Sequence, residues 1–229
     1  WADETVSTVL REIEWSPSRT GLLNPVAVFD TVELCGTKVS RASLHNVSYI
    51  KTLNLKVGDR ITVYKANMII PQVAENLDKL KGVANVGTIH CPCCDTPTVI
   101  VNNGGTLTMQ CENKDCSAKR VGTFTHYVEK HGMNIEGLSE KTILTLMEHG
   151  LLKNLSDLYH LDEKKDVFVE IEGFGEKSYD KLIASIEKSR KTDTEHFLYA
   201  CGIEGISRGQ IKEIVRYIRD KDRDRKSVV

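Results

Sequence analysis

The chain has 229 residues, 40% of them hydrophobic and 28% charged, with a formal net charge of −1. That length and balance suit one or two ordinary folded domains, or several small ones; no apolar run is long enough to span a membrane and no secretory signal opens the chain. Near-neutral charge excludes a strongly basic nucleic-acid binder, so any nucleic-acid contact would use local patches and backbone amides.

In chain order, residues 1–18 read as the end of a preceding unit, with Thr5–Ile13 suited to a strand. Residues 21–73 are β-rich: Val26–Phe29, Val32–Leu34 and Arg60–Tyr64 read as short strands broken by Gly and Pro. The pattern over Ala42–Leu53 predicts one helix, with Ser40 as its N-cap. Short strands with a single helix suit a small closed barrel of the OB type. A basic and polar set in this part, Arg19-Thr20-Gly21, Arg41 and Lys65, is by composition alone a solvated face. Residues 74–88 form a polar connection.

The next segment carries four of the seven cysteines in paired spacing, Cys91-Pro92-Cys93-Cys94 and Cys111-Glu112-Asn113-Lys114-Asp115-Cys116. Between the pairs, Thr98–Val101, Asn102–Gly105 and Thr106–Met109 have hairpin character. Two thiolate pairs at the ends of a hairpin can converge on a tetrahedral Zn²⁺. Cys93 leaves Cys91/Cys93 and Cys93/Cys94 pairings conceivable; Cys91/Cys94 is favoured because a two-residue spacer lets backbone N–H groups face the thiolates. Four thiolates leave no open position, so the expected role is structural and not catalytic. A thioredoxin-type site would need a βαβ context that is absent, and the odd cysteine count argues for a reducing compartment. His90 reads as an exposed loop histidine, Cys35 and Cys201 as buried small hydrophobes.

From about 121 onward the texture is helical. Val121–Lys130, Glu140–His149, Leu155–His160, Glu176–Arg190, Thr194–Ala200 and Gly209–Arg219 carry apolar residues at i, i+3 and i+4. Between them Ile135-Glu136-Gly137-Leu138-Ser139-Glu140-Lys141 is matched by Ile171-Glu172-Gly173-Phe174-Gly175-Glu176-Lys177, and more weakly by Ile203-Glu204-Gly205-Ile206-Ser207. Each copy reads as a tight turn between helices. Gly137 and Gly173 permit left-handed backbone, and the next helix N-terminus, with Lys141 or Lys177, can hold a DNA phosphate. Such contacts are sequence-independent. Arg219–Lys226 alternates charge without an apolar face and reads as a frayed end.

The order of these motifs carries a resemblance. Arg19-Thr20-Gly21, Pro25-Val26-Ala27, Val39–Asn46, Gly58-Asp59 and Ile70-Pro71-Gln72-Val73 resemble the OB-fold domain of bacterial NAD-dependent DNA ligases. The cysteine module resembles that family's zinc finger, and Met133–Leu138 with its copies resembles its helix-hairpin-helix domain. Asn67-Met68 departs from the family's usual Gly-Asp turn, and Ser139 from its second hairpin glycine. The implied fold class is multidomain α+β. Its parts would be the end of a nucleotidyltransferase domain or linker (1–18), an OB barrel (19–80), a four-cysteine zinc finger (87–120), an all-α helix-hairpin-helix domain (121–218) and a disordered or artefactual tail (219–229).

The resemblance further implies a bacterial cytoplasmic, nucleoid-associated, monomeric protein that grips nicked duplex DNA. The whole enzyme would use NAD⁺ and Mg²⁺ to seal a 3′-hydroxyl/5′-phosphate nick, with structural Zn²⁺ on Cys91, Cys94, Cys111 and Cys116. The implied DNA contacts are Arg19, Thr20, Gly21, Arg41 and Lys65 on the barrel, and Gly137, Ser139, Lys141, Gly173, Gly175, Lys177 and Gly205 on the turns. The chain has no Asp-Gly dipeptide and hence no Lys-x-Asp-Gly nucleophile. It is expected to be an internal piece, with Trp1-Ala2-Asp3-Glu4 just after the catalytic domain and no BRCT domain. A stand-alone DNA-repair accessory protein is the alternative.

Overall fold

The computed structural model describes residues 4–84 and 86–226, with side chains through Asp220. The expectations that fall on residues 1–3 and 227–229 lie outside the described residues. The chain divides into two compact units, 1–119 and 120–229.

In the first unit, β1 (Val6–Pro17), β2 (Leu22–Leu34), β3 (Thr37–Ser43), β4 (Arg60–Ala66) and β5 (Ile70–Asn76) close into a five-stranded barrel. Around it the order is β1-β2-β3-β5-β4, and β4 returns to β1. Every pairing is antiparallel except β3 with β5, which meet in parallel at Ser43 and Gln72. Strand alternation explains the core. Ala27 and Phe29 on β2, and Ile61 and Val63 on β4, point inward with Leu10, Leu34, Leu44 and Val73.

Helix α1 (Val47–Leu53) is shorter than expected and corrects the Ala42–Leu53 reading. Ala42 and Ser43 belong to β3, and His45 at φ +56° separates strand from helix, since a left-handed residue cannot continue a right-handed one. The N-cap is Asn46, whose Oδ1 accepts from Tyr49 N at 2.9 Å, and not Ser40. Two faces of α1 serve two cores: Ile50 enters the barrel, and Val47 packs with Leu23, Met109 and three cysteines.

A hairpin of β6 (Val99–Asn103) and β7 (Thr106–Gln110) joins the barrel sheet where Leu22 and Leu23 pair with Gln110 and Met109. The second unit holds α2 (Ser117–Val128, which begins in the first), α3 (Glu140–Glu148), a 3₁₀ stretch (Leu155–Lys164) running into α4 (Lys165–Glu170), α5 (Glu176–Ser189), α6 (Thr194–Ala200) and α7 (Arg208–Lys226). Its core is one cluster including Phe124, Ile143, Leu146, Leu152, Leu158 and Phe168. The helix α7 runs through the charge-alternating stretch expected to fray; that stretch lacks Gly and Pro and is rich in Arg and Lys, good helix formers.

Candidate metal centre and nucleic-acid interface

Cys91 and Cys94 sit on a tight loop closed by Asp95 N–H donating to Cys91 O and Cys91 N–H to Thr96 O, both 2.9 Å. Asp95 takes φ +55° at the corner. His90 is exposed as expected, its ring Nδ1 2.7 Å from the Asp95 carbonyl. Cys111 follows β7 and Cys116 precedes α2, so the hairpin brings both pairs together. The four sulfurs of Cys91, Cys94, Cys111 and Cys116 lie within 4.8 Å of one another. Cys91 and Cys116 Sγ are 3.9 Å apart, Cys94 and Cys111 Sγ 3.6 Å. A tetrahedral site with metal–sulfur bonds of about 2.3 Å has edges of about 3.8 Å, so the spacing fits one zinc-sized cation. Among the described residues no other group of three or more His, Cys or carboxylates is so placed. Cys93 is exposed and outside the cluster.

The thiols are not equivalent. Hydrogen bonding from the Thr96 hydroxyl, then its amide, draws Cys94 down to about 6, against desolvation. Burial pushes Cys111 up to about 12 and raises Cys116 as well. Crowding buried thiols costs free energy as they ionise, unless a cation sits among them. Cys35 and Cys201 correct the expectation of burial: Cys35 is half-buried in a turn at φ +49°, and Cys201 is exposed.

The expected DNA-contact residues of the barrel separate into two groups. Arg19 and Thr20 stand at the tip of the β1–β2 turn, which Gly21 N–H closes onto Ser18 O at 2.9 Å. Gly21 has φ +85°, and its carbonyl accepts from Cys111 N at 2.8 Å, tying the turn to the knuckle. Arg41 is half-exposed but both its terminal nitrogens rest on the Glu14 carboxylate, an ion pair that raises its pKa. Lys65 departs from a surface contact. It is 8% exposed and its ammonium bonds Thr37 Oγ1, because alternation from Ile61 and Val63 turns it inward.

The hairpin tip at Asn67-Met68 adds a feature not read from sequence. Both residues take positive φ in the loop between the paired Ala66 and Ile70, and Met68, Ile69 and Ile70 are exposed.

In the second unit the three repeats adopt one backbone. Gly137, Gly173 and Gly205 have φ of +93°, +83° and +78°, and helices α3, α5 and α7 begin three residues later. Ser139 caps α3 by accepting from Thr142 N at 3.1 Å. Gly175 caps α5 in extended backbone at φ −136°. Lys141 and Lys177 are exposed in the first turns of their helices. Ile135 and Ile171 are buried, whereas Ile203 is 46% exposed, which marks the third copy as the loosest. An open cleft of about 590 Å³ between the first two turns is lined by Gly137, Phe174, Leu182, Lys181 and Lys188; the two α5 lysines were not singled out in the sequence.

The closed β1-β2-β3-β5-β4 order is that of an OB domain, here with a four-cysteine knuckle attached. Residues 7–84 match the OB-fold domain of NAD-dependent DNA ligase. The chain is 50% identical to a DNA ligase of Ruminiclostridium cellulolyticum over 96% of its own length and 33% of that protein. It is 48% identical to one of Lachnoclostridium phytofermentans, covering 94% and 33%, and 36% identical to one of a Psychrobacter species, covering 95% and 32%. The likeness is thus to the OB-fold domain of NAD-dependent DNA ligase over residues 7–84 and to DNA ligases over nearly the whole chain, which spans about a third of the length of the curated relatives it matches.

Proposed function

We propose that this chain is a duplex-gripping portion of an NAD-dependent DNA ligase that seals 3′-hydroxyl/5′-phosphate nicks in replication and repair. The observation that carries this reading is the OB barrel matched over residues 7–84, inside a likeness to DNA ligases that extends over 96% of the chain. The barrel tip at Arg19 and Thr20 would face the duplex. The turns at Gly137, Gly173 and Gly205 would act as helix-hairpin-helix elements on phosphates, with Ser139 and Gly175 opening the helices that carry Lys141 and Lys177. Arg41 would act once released from Glu14.

Cys91, Cys94, Cys111 and Cys116 would hold a structural Zn²⁺, which supplies a crosslink and no chemistry. The sequence offers no Lys-x-Asp-Gly nucleophile, so NAD⁺ and Mg²⁺ belong to the larger protein's adenylation chemistry and not to these residues. In phosphoryl transfer much of the rate comes from positioning, so a grip that performs no bond-breaking still governs turnover. The protein would act as a monomer in the bacterial cytoplasm.

Fluorescence anisotropy with nicked and intact duplexes across a salt series tests the reading. Salt-sensitive affinity with preference for the nick is expected. A folded, zinc-loaded sample that binds neither duplex would refute it.

A further inference from the structure

The β1–β2 turn and the cysteine knuckle meet over one glycine. A Cβ built on Gly21 would overlap Lys119 Cε and lie 2.8 Å from its Nζ and 2.6 Å from the Cys111 carbonyl oxygen. The missing side chain is the slot in which the lysine lies. The main chain of Lys119 is fixed from the opposite direction, since its N–H and that of Ala118 face the Cys116 sulfur. One residue thus joins the thiol cluster to the turn, with its amide on sulfur and its ammonium over Gly21.

Backbone hydrogen bonds hold the turn. Ser18 N–H donates to Leu22 O at 2.7 Å, Gly21 N–H to Ser18 O, and Cys111 N–H to Gly21 O. The Gly21 carbonyl is occupied by Cys111, the Thr20 hydroxyl lies 3.1 Å from Ser18 Oγ, and the Lys119 ammonium lies against the glycine of the turn that carries Arg19 and Thr20. A bare glycine backbone beside a lysine ammonium also lets a phosphate approach closely.

We propose that Lys119 is a phosphate-binding residue of the duplex interface, delivered to the Arg19–Gly21 turn by the knuckle and not by the barrel. This rests on the duplex-gripping reading above. The metal site thereby acquires a specific role, because organising the sulfurs fixes the start of α2, and the start of α2 fixes where the ammonium falls. If Lys119 served only to screen thiolate charge, its loss would change metal retention and leave the salt dependence of DNA binding alone.

The test compares zinc-loaded wild-type protein with K119Q and K119R on nicked and intact duplexes, between about 50 and 200 mM salt. Each phosphate contact contributes about −0.9 to the slope of log K against log salt. K119Q should be shallower by about 0.9 on both duplexes, while K119R keeps the wild-type slope. Zinc content, measured on the same samples, should be equal in all three. Intact DNA binding with an unchanged slope in K119Q, or a change confined to zinc release, overturns the assignment of Lys119 alone. Failure of the wild-type protein to bind either duplex overturns both this inference and the reading beneath it.

Discussion

Replacing Met109 by alanine should loosen the metal centre although the residue holds no metal. Met109 is fully buried, and it packs with Leu23, Val47, Cys91, Cys111 and Cys116. It also stands two residues before Cys111 on β7 and pairs with Ile100 and Leu23 across two neighbouring strands. Truncating a fully buried methionine costs about 2–5 kcal/mol, the spread depending on how far the cavity collapses. Here three of the residues packed with it are Cys91, Cys111 and Cys116, so collapse displaces the thiols themselves. Each ~1.4 kcal/mol charged to the site is a tenfold change in an equilibrium constant. Met109→Ala should therefore release zinc to a chromogenic chelator at least tenfold more readily than wild type. Ile100→Ala provides the control, since Ile100 lies on the same hairpin but is 39% exposed. Equal zinc release by the two variants would refute the idea that packing beneath the hairpin preorganises the thiols.

Asp78 is held well below the usual carboxylate range, first by the Arg60 guanidinium and then by Lys81 and the Arg60 amide. A lowered folded-state pKa gives stability that is present above the ordinary carboxylate range and lost as pH falls, so Asp78→Asn should flatten the acid limb of urea-unfolding stability below about pH 4. Gly137→Ala meets open space, with Leu182 Cδ1 at 3.9 Å, but must adopt φ +93°, so it should destabilise by about 1–2 kcal/mol, whereas Gly175→Ala at φ −136° should cost a few tenths, roughly, in the same denaturant assay. Lys141→Gln and Lys177→Gln should each reduce the salt slope of DNA binding by about 0.9, equally on nicked and intact duplexes.

Local pattern sufficed where chemistry is local. The paired cysteines, the β6–β7 hairpin and the three glycine turns are short-range features, and each has the backbone its residues suggest. The barrel's closure was less legible. Residues 37–43 and 70–76 pair along their length with β2 and β4, but closure needs β3 and β5 to meet at Ser43 and Gln72, and Ala42, Leu44, Val47 and Ile50 suit a strand or a helix until His45 breaks the chain between them. The inward turn of Lys65 was available in the sequence, two steps along the alternation from Ile61 and Val63. The meeting of Gly21 with Lys119 was not, since it depends on the knuckle docking beside β2.

The most direct test of the account is duplex affinity measured against zinc content on one preparation, with circular dichroism following the fold. The account predicts one zinc per chain, and salt-sensitive DNA binding that weakens as the metal is removed and returns when it is restored. Undiminished binding by metal-free protein, or a folded protein that takes up no zinc, would contradict it.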